Sequence, residues 1–335
     1  EMERRGLDTA ELITAEIGQP ISVSRPWASV RPITHLRYYA KVARRPDFEE
    51  EERPNIHGDG NSIIRREPLG VAALIVPWNH PQASLTLKLG PALAAGCTVV
   101  IKPAAETALD VFAFAEASLA IGMPPGVINI VPGGRETGQA LVAHPGIDKI
   151  SFTGSADAGR QIASAGGQRL IPVTLELGGK SAAIVLESAD LDKAFTSLRH
   201  AIFDNSGQIC AMMSRVLAPA SMYDEVRDRL VALAGDLKVV QEEIFGPVVT
   251  LMSYNGVDDA VRIANDSHYG LAGAVYGAED EIVGVARRIR TGSIGLNGYR
   301  PDFNTPYGGY KDSGLGREFG AEAVRNFQEV KSIWR

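Results

Sequence analysis

Cysteine is scarce in this chain: Cys97 and Cys210 are the only two among 335 residues. So few thiols do not make a disulfide framework, and a reducing, cytoplasmic setting is the expectation. Long apolar runs are also missing. The longest stretches, such as Val71–Pro77, fall far short of the roughly 20 residues that cross a bilayer, so no membrane is expected. Glu1–Arg5 is charged and lacks the apolar centre of a secretory signal. No Lys/Arg block occurs, and 34 basic against 40 acidic residues leave a net charge of −6. Nucleic acid is therefore excluded as a partner. Internal repeats and low-complexity tracts are absent too. What remains is the composition of an ordinary folded protein, 45% hydrophobic and 22% charged. Its length suggests two or so domains.

From about residue 70 two kinds of segment alternate. Val71–Val76, Thr98–Ile101, Val127–Val131, Lys149–Phe152, Pro172–Leu175 and Ala182–Val185 are short β-branched runs that predict buried strands. Ala83–Ala95, Leu109–Ala120, Thr137–Ala143, Ala156–Ala165 and Leu191–Phe203 carry helical apolar spacing. Such alternation predicts βαβ units, a mainly parallel sheet and a site along the carboxyl ends of its strands. The second half continues with strands at Val216–Ala218, Val248–Leu251, Gly273–Tyr276 and Ser293–Leu296. Helices are expected at Tyr223–Leu233, Val257–Asn265 and Ile282–Ile289. Before residue 70, Ala10–Glu16 and Thr34–Ala43 read as helices, Pro46–Arg53 as an acidic break, and Asn55–Arg66 as an exposed hairpin. Asn304–Gly316 is Gly-rich and polar, a loop class that often covers a site.

Cys210 follows Phe203-Asp204-Asn205-Ser206-Gly207-Gln208-Ile209, with Arg215 five residues on. A buried structural thiol is the commoner fate of a lone cysteine. The polar residues ahead of it suit a loop entering a helix, where positive potential would ease ionisation. Composition alone leaves these two alternatives near even. Cys97, between Gly96 and Thr98 at the start of a strand, reads as core.

Phe203-x-Asn205-x-Gly207-Gln208-x-Cys210, together with Leu175-Glu176-Leu177-Gly178-Gly179-Lys180 placed 34 residues from glutamate to cysteine, resembles the aldehyde dehydrogenase superfamily. Pro77-Trp78-Asn79, Ile101-Lys102-Pro103, Phe152-Thr153-Gly154-Ser155, Glu242-Glu243-Ile244-Phe245-Gly246-Pro247 and Pro306-Tyr307-Gly308-Gly309-Tyr310-Lys311 occur in the same order as in that family. The resemblance implies NAD(P)-dependent oxidation of a small-molecule aldehyde to a carboxylic acid, through a thiohemiacetal and a thioester on Cys210. It makes Glu176 the base that activates the deacylating water, and Asn79 an oxyanion donor beside the backbone N–H of Cys210. For NAD or NADP it implies contacts from Ile75, Pro77, Trp78, Lys102, Gly133, Gly138, Phe152, Thr153, Gly154, Ser155, Leu177, Glu243 and Phe245. Without the family match, Asn79 is a turn residue, Glu176 and Lys102 are solvated charges at strand ends, and Ser155 is an ordinary helix cap. Asn297 matches an asparagine near the family's site, and Lys88 a lysine suited to a relay or a structural role. Ser84, Leu87, Ile209, Ala211 and Phe303 would line an apolar aldehyde tunnel. No metal site is assigned.

The implied architecture is α/β: a Rossmann-like parallel-sheet cofactor domain plus an α/β catalytic domain, with a small β-hairpin oligomerisation element. The cofactor domain would take residues 1–49 and 67–177, the oligomerisation hairpin 50–66, the catalytic domain 178–322, and a C-terminal oligomerisation strand 323–335. A homodimer or homotetramer is expected. Three departures stand out. The family's N-terminal stretch has no match before Glu1. Leu237-Lys238-Val239-Val240 runs directly into Gln241-Glu242-Glu243, where the family places a long segment. Ala105 stands where the family often has a ribose-binding glutamate, with Glu106 one step later, so NAD and NADP both stay open. The alternatives are a catalytically impaired remnant that binds cofactor or serves a structural role, a CoA-acylating relative, and, more remotely, an unrelated cysteine hydrolase.

Overall fold

The computed structural model describes residues 2–45, 48–56, 58, 60–234 and 245–334. The chain divides into two compact units: residues 1–175 with 303–306 and 316–335, and residues 176–302 with 307–315.

The first unit begins with helices α1 (Met2–Ile17), α2 (Ile21–Arg25) and α3 (Arg31–Val42). Strands β1 (Glu50–Pro54) and β2 (Asn61–Pro68) follow. The core of the unit is built by β3 (Val71–Ile75), α4 (Pro81–Ala94), β4 (Thr98–Lys102), α5 (Phe112–Ala120), β5 (Ile128–Ile130), α6 (Arg135–Ala143), β6 (Lys149–Thr153), α7 (Ala156–Arg169) and β7 (Val173–Glu176). Neighbouring strands run in the order β7-β6-β3-β4-β5, with β3 parallel to both β4 and β6. From β3 the chain first steps one way, to β4 and β5, and later returns to the other side for β6. The order therefore reverses between β3 and β6, the topology that places ligand sites at strand carboxyl ends. Alternate residues Ala72 and Leu74 of β3 and Val99 and Ile101 of β4 pack with Leu85 and Leu89 of α4 in one apolar cluster.

The acidic segment before the hairpin is a strand, not a break. Cross-strand pairing explains it: Glu50 faces Arg65 with their side chains 2.6 Å apart, and Glu51 reaches Arg66 at 2.8 Å. Opposite charges placed across β1 and β2 remove the repulsion that made the run look unsuited to pairing. The terminal strand Gln328–Ile333 adds antiparallel to the other edge of β2. Pro46, His57, Asp59 and Arg335, which fall in segments discussed above, lie outside the described residues.

In the second unit, β8 (Ala182–Val185), α8 (Leu191–Phe203), β9 (Arg215–Pro219), α9 (Tyr223–Ala234), β10 (Thr250–Tyr254), α10 (Gly256–Asn265), β11 (Tyr269–Gly270), β12 (Gly273–Tyr276), α11 (Glu279–Ala286), β13 (Gly295–Leu296) and β14 (Tyr310–Lys311) follow in turn. Five of the strands form a parallel sheet in the order β10-β9-β8-β12-β13. The second-half strands and helices are displaced from their predicted bounds by up to three residues, the usual uncertainty of ends that fray or turn. The glycine-rich tail is not all loop, because Tyr310 and Lys311 pair with Gly270 and Tyr269. Arg215 is a clamp: its guanidinium donates to the carbonyls of Lys180, Ile263 and Ala264 at 2.8–2.9 Å. The last two are terminal carbonyls of α10, where a cation is favoured. Both units are thus α/β with parallel sheets, as the alternation of segments predicts.

One buried contact in the first unit carries a prediction. Asp110 is 2% exposed, and its Oδ1 has no hydrogen-bond partner among the described residues. Glu16 stands close by, accepting the Leu109 N–H at 2.9 Å. Burial, then repulsion from Glu16, pushes the Asp110 carboxyl well above the ordinary carboxylate range, and burial raises Glu16 as well. A carboxyl raised in the folded state favours folding below its unfolded value near 4 and loses that contribution as pH climbs through the folded value. Asp110→Asn removes the ionisable group. It should raise stability at pH 8 by about 1–3 kcal/mol and by much less at pH 5. Thermal unfolding at the two pH values checks this, and an equal gain at both would contradict it.

Candidate active site

Parallel pairing sets the candidate cofactor residues of the first unit along one edge. Ile75 ends β3, in register with Lys102 on β4 and Phe152 on β6. Pro77 and Trp78 follow β3, and Gly133 follows β5. Thr153 closes β6, Gly154 makes the turn under the Phe152 ring, and Ser155 caps α7. The Ser155 Oγ accepts the Ala158 N–H at 3.3 Å. Helices α6 and α7 both begin on this edge, so their first N–H groups are available to an anionic pyrophosphate. Gly138 of α6 lies over the stem of Lys102, where a Cβ would sit 3.8 Å from Cδ and Cε.

Lys102 is not a solvated strand-end lysine. It is 8% exposed, its Nζ donates to the Pro103 carbonyl at 2.9 Å, and burial lowers its pKa while Glu106 opposes that shift. The reversal of strand order between β3 and β6, two helix starts and a buried lysine fit a nicotinamide dinucleotide.

Asn79 is buried at the exit from β3, and its backbone carbonyl accepts from Gln19 Nε2 at 3.1 Å. The adjacent His80 stacks on Trp27 with centroids 3.9 Å apart, and burial holds its pKa at about 3, so it is neutral at working pH. Lys88 on α4 is 0% exposed and ion-paired to Glu318, a partner that sequence reasoning missed. Ser84 and Leu87 are half-buried on the same helix. Phe303 packs among His35, Tyr38, Tyr39 and Phe319.

In the second unit the segment from Glu176 to Lys180 is tied down. Leu177 N–H donates to the Ser313 carbonyl at 3.0 Å, and Ser313 Oγ donates to the Gly178 carbonyl at 2.7 Å. Glu176 is 5% exposed. Cys210 is half-buried in the loop after α8, and no helix starts there. The predicted helix N-terminus is therefore wrong, and with it the dipole argument for an acidic thiol. The residues that suggested it, Asn205 and Ser206, instead adopt left-handed backbone in a turn that ends α8.

Two close approaches fix that loop. Gly207 has φ +73°, and a Cβ there would meet the Gly246 carbonyl oxygen at 2.5 Å; a Cβ on Gly179 would sit 2.8 Å from the Cys210 carbonyl. Gly207, Ile209 and Phe245 border one hollow with Gly179 and Lys180. Ala211 is buried beside Cys210 in the apolar cluster of this unit. Glu243 and the Val240-Gln241 junction lie outside the described residues. Asn297 spends its amide on Gly277, accepting its N–H at 2.9 Å and donating to its carbonyl at 3.0 Å.

Sequence reasoning also passed over Tyr299 and Tyr307. Both pack against the cluster that holds Ile209 and Cys210. Burial pushes Tyr299 up to about 12 and holds Tyr307 well above the ordinary phenol range, and the charges of Cys210 and Glu176 add to both shifts. The two tyrosines, the thiol and the carboxylate therefore share one neighbourhood. The available signal was Tyr307's place inside the Pro306–Lys311 motif.

The sequence profile of the aldehyde dehydrogenase family matches residues 1–239 and 233–333. These two pieces meet at the junction singled out above. A geranial dehydrogenase from Castellaniella defragrans is 43% identical over 398 positions, covering 99% of this chain and 83% of that protein. Those positions outnumber the 335 residues here, so the alignment bridges stretches of the relative with no counterpart. An aldehyde dehydrogenase from Mycobacterium tuberculosis, solved with NAD+, superposes with a TM-score of 0.94 at 36% identity, covering 98% of this chain and 82% of that one. The NAD+ complex of a Bacillus cereus aldehyde dehydrogenase gives 0.95 at 32% identity, over 100% and 81% of the two chains.

Proposed function

Because the chain belongs to the aldehyde dehydrogenase family, with NAD or NADP as its cofactor, we propose that it oxidises an apolar aldehyde to the carboxylic acid through a covalent intermediate on Cys210. The observation that carries this reading is the neighbourhood of Cys210, Glu176 and the two tyrosines in one unit.

Cys210 supplies the sulfur that adds to the carbonyl carbon. The oxygen left on that carbon gains negative charge, which the backbone N–H of Cys210 would stabilise. A bound nicotinamide dinucleotide supplies the hydride acceptor. Glu176, held by the Ser313 contacts to Leu177 and Gly178, takes a proton from the water that cleaves the thioester. Retention of this base favours water over CoA as the acyl acceptor. Lys102, Gly133, Gly138, Trp78 and Phe152 to Ser155 would hold the dinucleotide along the carboxyl edge of the sheet. The first unit is then the cofactor domain and the second the catalytic one.

Ile209 and Ala211 are small or apolar, which suits an aliphatic or aromatic aldehyde, and the name of the geranial dehydrogenase relative points the same way. No described helix is long and apolar enough to cross a membrane. Both cysteines are free, as a reducing cytoplasm would keep them. We assign the edges of the β1, β2 and terminal-strand sheet to assembly of a homodimer or homotetramer. The impaired-remnant alternative has no support among the relatives.

The test is growth of reduced-cofactor absorbance on adding aliphatic and aromatic aldehydes, with NAD and NADP in parallel. Acid product and turnover with at least one pair are expected. Cofactor binding with no turnover on any aldehyde would overturn the proposal.

A further inference from the structure

Ser313 is 0% exposed, and each of its polar atoms is committed to backbone. Its N–H donates to the Tyr310 carbonyl at 3.1 Å, and its carbonyl accepts the Leu177 N–H at 3.0 Å. Its Oγ lies 2.7 Å from the Gly178 carbonyl and 2.9 Å from the Gly270 nitrogen. A carbonyl only accepts, so the single hydroxyl proton goes to Gly178, and an oxygen lone pair receives the Gly270 N–H. One buried residue thereby grips the two residues that follow Glu176, the first by its N–H and the second by its carbonyl. The ribbon that delivers Ser313 is itself fixed. Tyr310 and Lys311 pair with Gly270 and Tyr269, and the Asp312 N–H donates to the His268 carbonyl at 3.0 Å. Lys311 Nζ donates to the carbonyls of Asn265 and Ser267 at 2.8 and 2.9 Å. A Cβ on Gly309 would lie 2.4 Å from the Ser313 Cβ, so glycine at that place in the motif makes room for the serine. The far end of the segment is held separately, by Arg215 Nε on the Lys180 carbonyl at 2.8 Å.

We propose that Ser313 is a positioning residue for Glu176, its hydroxyl bridge between Gly178 and Gly270 fixing the backbone that aims the base in thioester hydrolysis. In that step water adds to the thioester carbon and its proton passes to Glu176. The carbon–sulfur bond then breaks, releasing the acid and the Cys210 thiolate. The base must be held to a fraction of an ångström for this transfer, and a side chain is aimed only as well as the backbone that carries it. Without the hydroxyl, the Gly178 carbonyl and the Gly270 N–H both lose this partner, and the turn after Glu176 is free to shift. Sulfur addition and hydride departure do not use the base, so the bridge matters to hydrolysis alone.

This inference rests on the reading of Glu176 as the base of aldehyde oxidation, and the experiment separates the two. Reduced cofactor is followed by rapid mixing of the whole protein with an aldehyde and dinucleotide pair that supports turnover. The initial burst reports sulfur addition and hydride transfer, and the steady rate reports hydrolysis. Peptide mass reports the acyl group on Cys210. Ser313→Ala should keep the burst rate within about twofold, lower the steady rate by about 10–100-fold and accumulate acyl-Cys210. Ser313→Thr keeps the hydroxyl and should recover the steady rate to within about threefold of the parent. In Glu176→Gln/Ser313→Ala the serine change should cost no more than about twofold beyond Glu176→Gln alone, because it acts through the group already removed. A merely structural role would lower burst and steady rate together and add its loss to that of Glu176→Gln. Either result overturns the proposal, as does a steady rate of Ser313→Ala within about twofold of the parent. Should Ser313→Ala fail to fold, Ser313→Cys, which nearly keeps the size and leaves a weak donor, decides on the same burst, steady-rate and double-variant criteria. Parent-like hydrolysis in Glu176→Gln would instead show that the base itself is misassigned.

Discussion

Cys210→Ser is expected to lower kcat for aldehyde oxidation by about three orders of magnitude or more, the scale on which loss of a nucleophile acts. A serine hydroxyl ionises far less readily than a thiol and adds poorly to a carbonyl without a base placed on it. Half-buried Cys210 packs against an apolar cluster, and serine nearly matches its size, so thermal stability should change little. Cofactor affinity, measured by quenching of tryptophan fluorescence, should stay within about twofold, since the substitution removes no group assigned to the dinucleotide. Turnover within tenfold of the parent would show that another group attacks the aldehyde. Cys97 is no substitute: it is buried, its Sγ donates to the Phe327 carbonyl at 3.3 Å, and burial raises its pKa.

Glu176→Gln acts on a later step. Glutamine keeps the shape of the side chain and cannot accept the proton of a water molecule. Loss of a general base typically costs about 10²–10⁴-fold, and the same fall is expected in steady-state kcat. Sulfur addition should survive, so the acyl group should accumulate on the enzyme. Intact mass after mixing with aldehyde and cofactor should show one acyl adduct, which peptide mass places on Cys210. Loss of turnover with no adduct would move Glu176 to an earlier role, such as deprotonating the thiol. A rise in KM with kcat unchanged would reduce it to a binding residue.

Much of this protein is legible along the chain because its strands are short, β-branched and bounded by turns. Strand β8 and helix α8 were predicted at the observed bounds, since a continuous apolar run and a clean helical spacing leave little choice. The errors arose where a segment's fate depends on distant partners. The acidic run at β1 looked unfit for a sheet until Arg65 and Arg66 were set opposite it. Lys102 looked like a surface charge because nothing in its neighbours announces the cover that makes it 8% exposed. The polar residues before Cys210 suit both a helix start and a left-handed turn, and local sequence does not distinguish them.

The amino-acid order by itself determined the supply of reactive groups, since motifs of glycine, glutamate, asparagine and cysteine state which atoms are present and how far apart along the chain. It also determined the alternation that makes parallel sheets, because hydrophobic periodicity is a local property. Only the tertiary structure decided how those groups are tuned. Tyr299 is hydrogen-bonded to Ser293 at 2.9 Å, and Ser293 in turn donates at 3.2 Å to the carbonyl of Leu271, a residue 22 positions earlier in the chain. Burial and hydrogen-bond direction are set by what folds against a side chain, and no local pattern encodes that.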